Sequence, residues 1–158
     1  MKRLLCAACA ALAFCSGSLA AEDEDDVFEL DRWYAGAGAT LVLPQGGGEM
    51  RRLGGATARF GYYVTEFWAL DFAADWCEDH AAVSGGALWH WWGYERFDPF
   101  FTFGLRDWIE TDAGPYGGAG AFYHLDDHWS LRFDFSAMLG VENGEMVYSL
   151  CAGIQRSW

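Results

Sequence analysis

His128, Trp129 and Ser130 form a His-x-Ser step, and Glu142 follows further along the chain. An imidazole can take a proton from a hydroxyl, and a carboxylate can orient the imidazole, so this order of residues is compatible with covalent hydrolysis. On an extended strand, His128 and Ser130 share one face at one end while Glu142 falls at the opposite end. The tripeptide also reads as an ordinary turn-to-strand start, so no catalytic residue is assigned. His80, His90 and His124 are expected on different strands and form no ligand set. Cys77 and Cys151 lack metal-ligand spacing, so neither a metal nor a cofactor is expected. The stronger chemical signal is a set of charges spaced through apolar surroundings: Arg59, Asp71, Asp75, Arg106, Glu110, Arg132 and Asp134. If these face an enclosed interior they must pair, because an unpaired ion out of water costs several kcal/mol.

A period of two runs through the chain from Trp33 to Trp158 and sets where these charges lie. In 129–141, Trp129, Leu131, Phe133, Phe135, Ala137, Leu139 and Val141 alternate with Ser130, Arg132, Asp134, Ser136, Met138 and Gly140. A helix would mix these two sets, whereas a strand separates them. Met138 is the one apolar residue on the polar face. Segments 33–43, 51–64, 67–78, 81–92, 98–110 and 146–158 follow the same rule, with Asp107 interrupting the apolar face of its segment. Segment 115–124 is Gly-rich and ambiguous. The connections are short, which makes neighbouring strands antiparallel. Eight such strands in up-and-down order close into a barrel without edges.

The 158 residues suffice for one domain. Residues 1–20 read as a signal peptide: Lys2 and Arg3, an apolar run from Leu4 to Phe14, then small residues up to Ala20. Residues 21–31 form an acidic leader carrying seven acids, expected on the periplasmic side. The barrel domain spans 32–158. Cleavage removes the only Lys and one Arg, leaving 8 Arg against 23 acids, a net charge of −15. That charge argues against nucleic acid as a partner. Of the five Cys, Cys77 and Cys151 remain, one near a rim and one mid-strand, a placement that disfavours a bridge.

Three features decide which face is outside. A soluble exterior is normally studded with Lys, and here the mature chain has none. The polar face is built from Gly, Ser, Thr and Ala with a few charges, which suits a narrow eight-stranded bore. The aromatics are also sorted by height. One end collects Trp33, Tyr62, Tyr63, Phe67, Trp68, Trp89, Trp91, Trp92, Phe97, Phe100, Phe101, Tyr123, Trp129 and Trp158, which includes seven of the nine Trp. Trp76, Trp108 and Tyr148 lie towards the other end. A band of amphipathic rings at one level is what a membrane interface favours. The pattern therefore predicts an all-β protein, an eight-stranded antiparallel up-and-down transmembrane β-barrel. A soluble lipocalin-like barrel, with the apolar face inside, is the alternative architecture. The interior charges are expected to form an ion-pair plug, with a selective pore lining as the alternative.

The stretches FDPFFTFGLR (97–106) and GPYGGAGAFYHLDDHWSLRFDFSAML (114–139), with a closing strand ending on Trp158, resemble the OmpA-like outer-membrane β-barrel family. Asp126 to Arg132 matches that family's turn followed by a Trp-Ser-Leu strand start. The terminal aromatic resembles the signal read by the outer-membrane insertion machinery, with Trp158 where Phe is usual and Arg156 where an aromatic is often found. The resemblance implies a monomer in the cell outer membrane, in contact with its lipid and lipopolysaccharide, in a structural or narrow porin-like role. Family members often add a peptidoglycan-binding domain, and this chain is expected to lack one. Some barrels of this size deacylate lipid A with a His-x-Ser pair followed by Asn. Here Leu131 follows, and a lipid-A-modifying hydrolase is the alternative function. The short rims speak against an adhesin.

Overall fold

The computed structural model describes residues 32–45, 53–78, 80–91, 96–109, 112–141 and 144–158. The signal peptide and acidic leader lie outside the described residues. Eight strands follow in order: β1 (Trp33–Gln45), β2 (Leu53–Tyr63), β3 (Trp68–Cys77), β4 (His80–His90), β5 (Phe97–Trp108), β6 (Asp112–His124), β7 (Trp129–Leu139) and β8 (Met146–Ser157). Each pairs antiparallel with its sequence neighbour, and β1 pairs with β8, so the barrel is closed. Strands of 10–13 residues match the roughly 9–11 residues that a tilted strand needs to cross a hydrocarbon layer.

Alternation determines which residues meet outside solvent. Leu105 (63% exposed), Phe133 (54%) and Trp76 (53%) point outward, while Asp98 (0%), Asp71 (2%) and Arg132 (3%) are buried. A lipocalin-like arrangement requires the reverse, so that alternative does not describe this barrel.

The Gly-rich segment is a full strand, β6. Its pattern is weak because the bore has no room for side chains there. A Cβ on Gly120 would lie 2.5 Å from Phe100 Cζ and 2.7 Å from Asp134 Cβ. The two exceptions to alternation also find places. Met138 fills an apolar layer inside the bore, and Asp107 is half-buried at a rim.

The bore is layered along its axis. Tyr34, Tyr63, Ala69, Leu88, Phe100 and Phe122 pack together towards the end where β1 begins and β8 finishes, the termini end of the barrel. Val42, Leu53, Cys77, Ala82, Trp108, Tyr116 and Met138 pack at the far end. Buried charges and hydroxyls occupy the strand positions between these two apolar layers. Cys77 and Cys151 are both buried and unbridged. Cys77 closes β3, whereas Cys151 pairs with Thr40 in the middle of β8, so the two thiols sit at different heights.

Candidate functional site: the sealed bore

Four charges from three strands meet at the centre of the bore. Arg132 donates through Nη1 and Nη2 to the two carboxylate oxygens of Asp71, each at 3.0 Å. Its Nε donates to Asp134 Oδ2 at 2.9 Å. Arg59 bridges the same two acids, with Nη1 on Asp71 Oδ2 at 3.0 Å and Nη2 on Asp134 Oδ1 at 3.2 Å. Two guanidinium groups and two carboxylates thus form a neutral cluster with forked geometry, which suits burial because every charge has a partner. The positions follow from register. Gly61 faces Asp71 across β2 and β3, which puts Arg59 on the diagonal to Asp71.

Tyr34 completes the cluster, its hydroxyl donating to Asp71 Oδ1 at 2.6 Å. Sequence reasoning missed this residue, although the outward setting of Trp33 assigns Tyr34 to the bore by parity. A Cβ on Gly61 would fall within the Tyr34 ring. The Arg132 guanidinium also lies between aromatic rings, 5.0 Å from the Phe100 centroid and 5.3 Å from that of Phe122. Such cation–π contacts are stronger away from water.

The other expected members of the network are placed differently. Arg106 is in the bore, but it donates to Ser149 Oγ at 2.9 Å and Ser136 Oγ at 3.3 Å and lies over the Tyr116 ring. Asp75 is buried, yet no ion pair among the described residues joins it to an arginine. Both are further towards the far end, Arg106 opposite Ser84 and Asp75 opposite Thr57, so their positions along the strands separate them from the four-charge cluster. Glu110 lies outside the described residues.

A second polar group sits at the termini end. His90 Nδ1 donates to Asp98 Oδ2 at 2.5 Å, and His124 Nε2 is 3.9 Å from the same oxygen. His124 Nδ1 is hydrogen-bonded to Ser130 Oγ at 2.7 Å. This corrects the sequence expectation for the histidines. His80 and His90 are the two ends of one strand, and β4, β5 and β6 bring His90 and His124 to a shared acid. The signal was available, since Asp98 has the parity of Thr102 and Arg106. The described residues contain no group of three or more ligands able to hold a metal ion.

The hydrolase expectation changes in the same way. Ser130 does not meet His128, which is exposed in the 125–128 turn and whose N–H donates to Asp126 Oδ1. Ser130, His124 and Asp98 are instead the nucleophile, base and acid types in a row. They are buried in the bore, Asp98 and His124 one inward position nearer the termini end than Phe100 and Phe122. Glu142 lies outside the described residues.

Trp33, Trp68, Trp89, Trp91, Trp129 and Trp158 all point outward at the termini end. Trp92 lies outside the described residues. Tyr63 and Phe100, expected in the same band, point into the bore and form part of its apolar layer. The outward rings pack on one another: Trp33 stacks on Phe60 at 5.2 Å and Trp89 on Phe101 at 5.8 Å.

The void flanked by Gly36, Thr57, Arg59, Arg132, Asp134 and Gln155 has a volume of about 10 Å³, room for roughly one water at most.

These features define a class, the small eight-stranded barrels built to cross a bilayer. Solved structures of this kind match the chain. The outer membrane protein OprG of Pseudomonas aeruginosa superposes with a TM-score of 0.63 at 12% identity, covering 80% of this chain and 95% of that one. Neisserial surface protein A gives 0.59 at 14% identity, covering 80% and 97%. The N-terminal β-barrel domain of Pseudomonas aeruginosa OprF gives 0.57 at 19% identity, covering 77% and 96%. No protein-family model matches the chain, and no curated protein matches it in sequence. The likeness at these identities is one of fold.

Proposed function

We propose that this protein is an integral outer-membrane barrel whose role is structural, with a bore closed to ions. One observation carries the reading: a closed wall that exposes Phe, Leu and Trp while burying paired Arg and Asp. Only a solvent of acyl chains makes that inversion favourable, since it removes the apolar face from water and leaves the charges to neutralise one another. The outer-membrane neighbours in fold support the same compartment. In this reading the chain is exported by its first twenty residues. It inserts through the recognition of β8 and the Trp158 that follows it, and stands in the bilayer as a monomer among lipid and lipopolysaccharide.

Closure follows from the layering. Two apolar layers flank the charges, and the central void is smaller than a hydrated ion. In planar bilayers the purified protein is expected to give no steady conductance, and on SDS gels it should migrate differently before and after boiling. Discrete ion-conducting steps would replace the plug with a pore. Identical migration before and after boiling, with the protein soluble in the absence of detergent, would overturn the membrane reading itself.

A further inference from the structure

The described arginines divide into two groups. Arg59, Arg106 and Arg132 are in the bore. Arg32, Arg96 and Arg156 are exposed, and all three sit at the termini end. Each is tied to an outward aromatic. Arg156 Cζ lies over the Trp129 ring at 5.8 Å, Arg96 Cζ over the Tyr123 ring at 5.5 Å, and Arg32 Nη1 donates to the Tyr62 hydroxyl at 3.2 Å. The strands distribute them around the barrel. Arg32 precedes β1 beside β2, Arg96 precedes β5 beside β6, and Arg156 is on β8 between Trp129 of β7 and Ala35 of β1.

We infer that these three arginines, each on its aromatic support, bind the phosphodiester groups of phospholipids in the leaflet on the side of the chain termini. The inference rests on the transmembrane reading above. The rings mark the level where apolar surface gives way to polar surface, because amphipathic aromatics collect there. Headgroup phosphates occupy that same level. Arg96 and Arg156, each over a ring, have N–H groups that match two phosphate oxygens, whereas Arg32 spends one N–H on the Tyr62 hydroxyl and offers the rest. The long apolar stem of arginine covers the wall while its head reaches the interface.

Among the described residues, charge placement favours an anionic headgroup over a zwitterionic one. The described exposed acids of this end, Glu66, Asp126 and Asp127, lie in the turns past the strand ends, and Asp98 is buried in the bore against His90. Asp126 Oδ1 is already engaged by the N–H groups of His128 and Trp129. On the outer surface at the far end, the described charges are the acids Glu78, Asp107 and Glu145. Phosphatidylglycerol should therefore be held at the termini end in preference to phosphatidylcholine, by about fivefold for each arginine at its own site in low salt.

The test is native mass spectrometry of the full-length mature protein released from nanodiscs of equal phosphatidylglycerol and phosphatidylcholine. The wild type should retain phosphatidylglycerol several-fold over phosphatidylcholine. The triple variant R32Q/R96Q/R156Q should retain the two equally while still migrating differently before and after boiling. A far-rim variant, D107N/E145Q, should keep the wild-type preference. Overturning results are a wild type without preference, a triple variant that keeps it, or a far-rim variant whose preference shifts as much as the triple variant's, which would assign the effect to net charge. Failure of the wild type to enter nanodiscs would refute the transmembrane reading, and this inference with it. Failure of selectivity alone leaves that reading standing.

Discussion

The two faces of this wall follow opposite rules, although they are alternate residues of the same strands. On β7, Phe133 and Phe135 are exposed while Arg132 and Asp134, one position away, are buried and paired. Outside, an apolar residue is correct at nearly every position and its identity is loosely constrained. Inside, each residue is matched to particular partners. Tyr34 requires Gly61, Phe100 requires Gly120, and Arg132 requires both Asp71 and Asp134. Specificity in this fold therefore resides in the bore, whereas the outer face supplies solvation.

The most direct way to break that contrast is to remove one member of the central cluster. Arg132→Ala leaves Asp71 and Asp134 facing Arg59 alone and should destabilise the barrel by about 3–5 kcal/mol, read as a lower urea midpoint for unfolding from vesicles. Phe133→Arg attacks the other face on the same strand. A charge near the bilayer midplane costs about 2–4 kcal/mol, and the loss should disappear in Phe133→Leu. If Phe133→Arg were neutral, the outer face would not be meeting acyl chains. Gly61→Ala tests fit without any change of charge. The methyl group would displace the Tyr34 ring, at about 1–3 kcal/mol, and Tyr34→Phe should separate the lost Asp71 hydrogen bond from the steric effect.

The smallest effect lies outside both faces, in the 125–128 turn. The backbone N–H groups of His128 and Trp129 donate to Asp126 and hold its carboxyl below the ordinary value of 3.8. A carboxyl lowered in the folded state stabilises above its unfolded value, and that contribution disappears as pH falls through the folded value. Protection of the His128 and Trp129 amides, taken against their intrinsic exchange rates, should therefore fall in acid below about pH 3.8, and Asp126→Asn should remove this dependence.

Strand count, parity and the outward face were legible because a period of two is a local property, and a bilayer-facing strand displays it over ten or more residues. The contrast of Phe133 with Arg132, or of Trp68 with Ala69, needs no knowledge of the rest of the chain. The weak stretch was β6, where small residues inside match small residues outside. Within the bore, the pairing of Arg59 with Asp71 could be anticipated because one tight turn joins their strands.

The partners that meet across the bore were not legible. Arg132 and Asp71 are 61 residues apart, and Asp98 gathers histidines from β4 and β6. Parity fixes which side of the wall a residue takes, and the sequence by itself determined that much, together with the closed order of the strands and the level of the aromatic band. Which interior residues touch depends on the stagger of eight strands around a closed ring and on the volume each neighbour leaves. Only the tertiary structure decides this, because closure couples β1 to β8 and so sets every height in the bore at once.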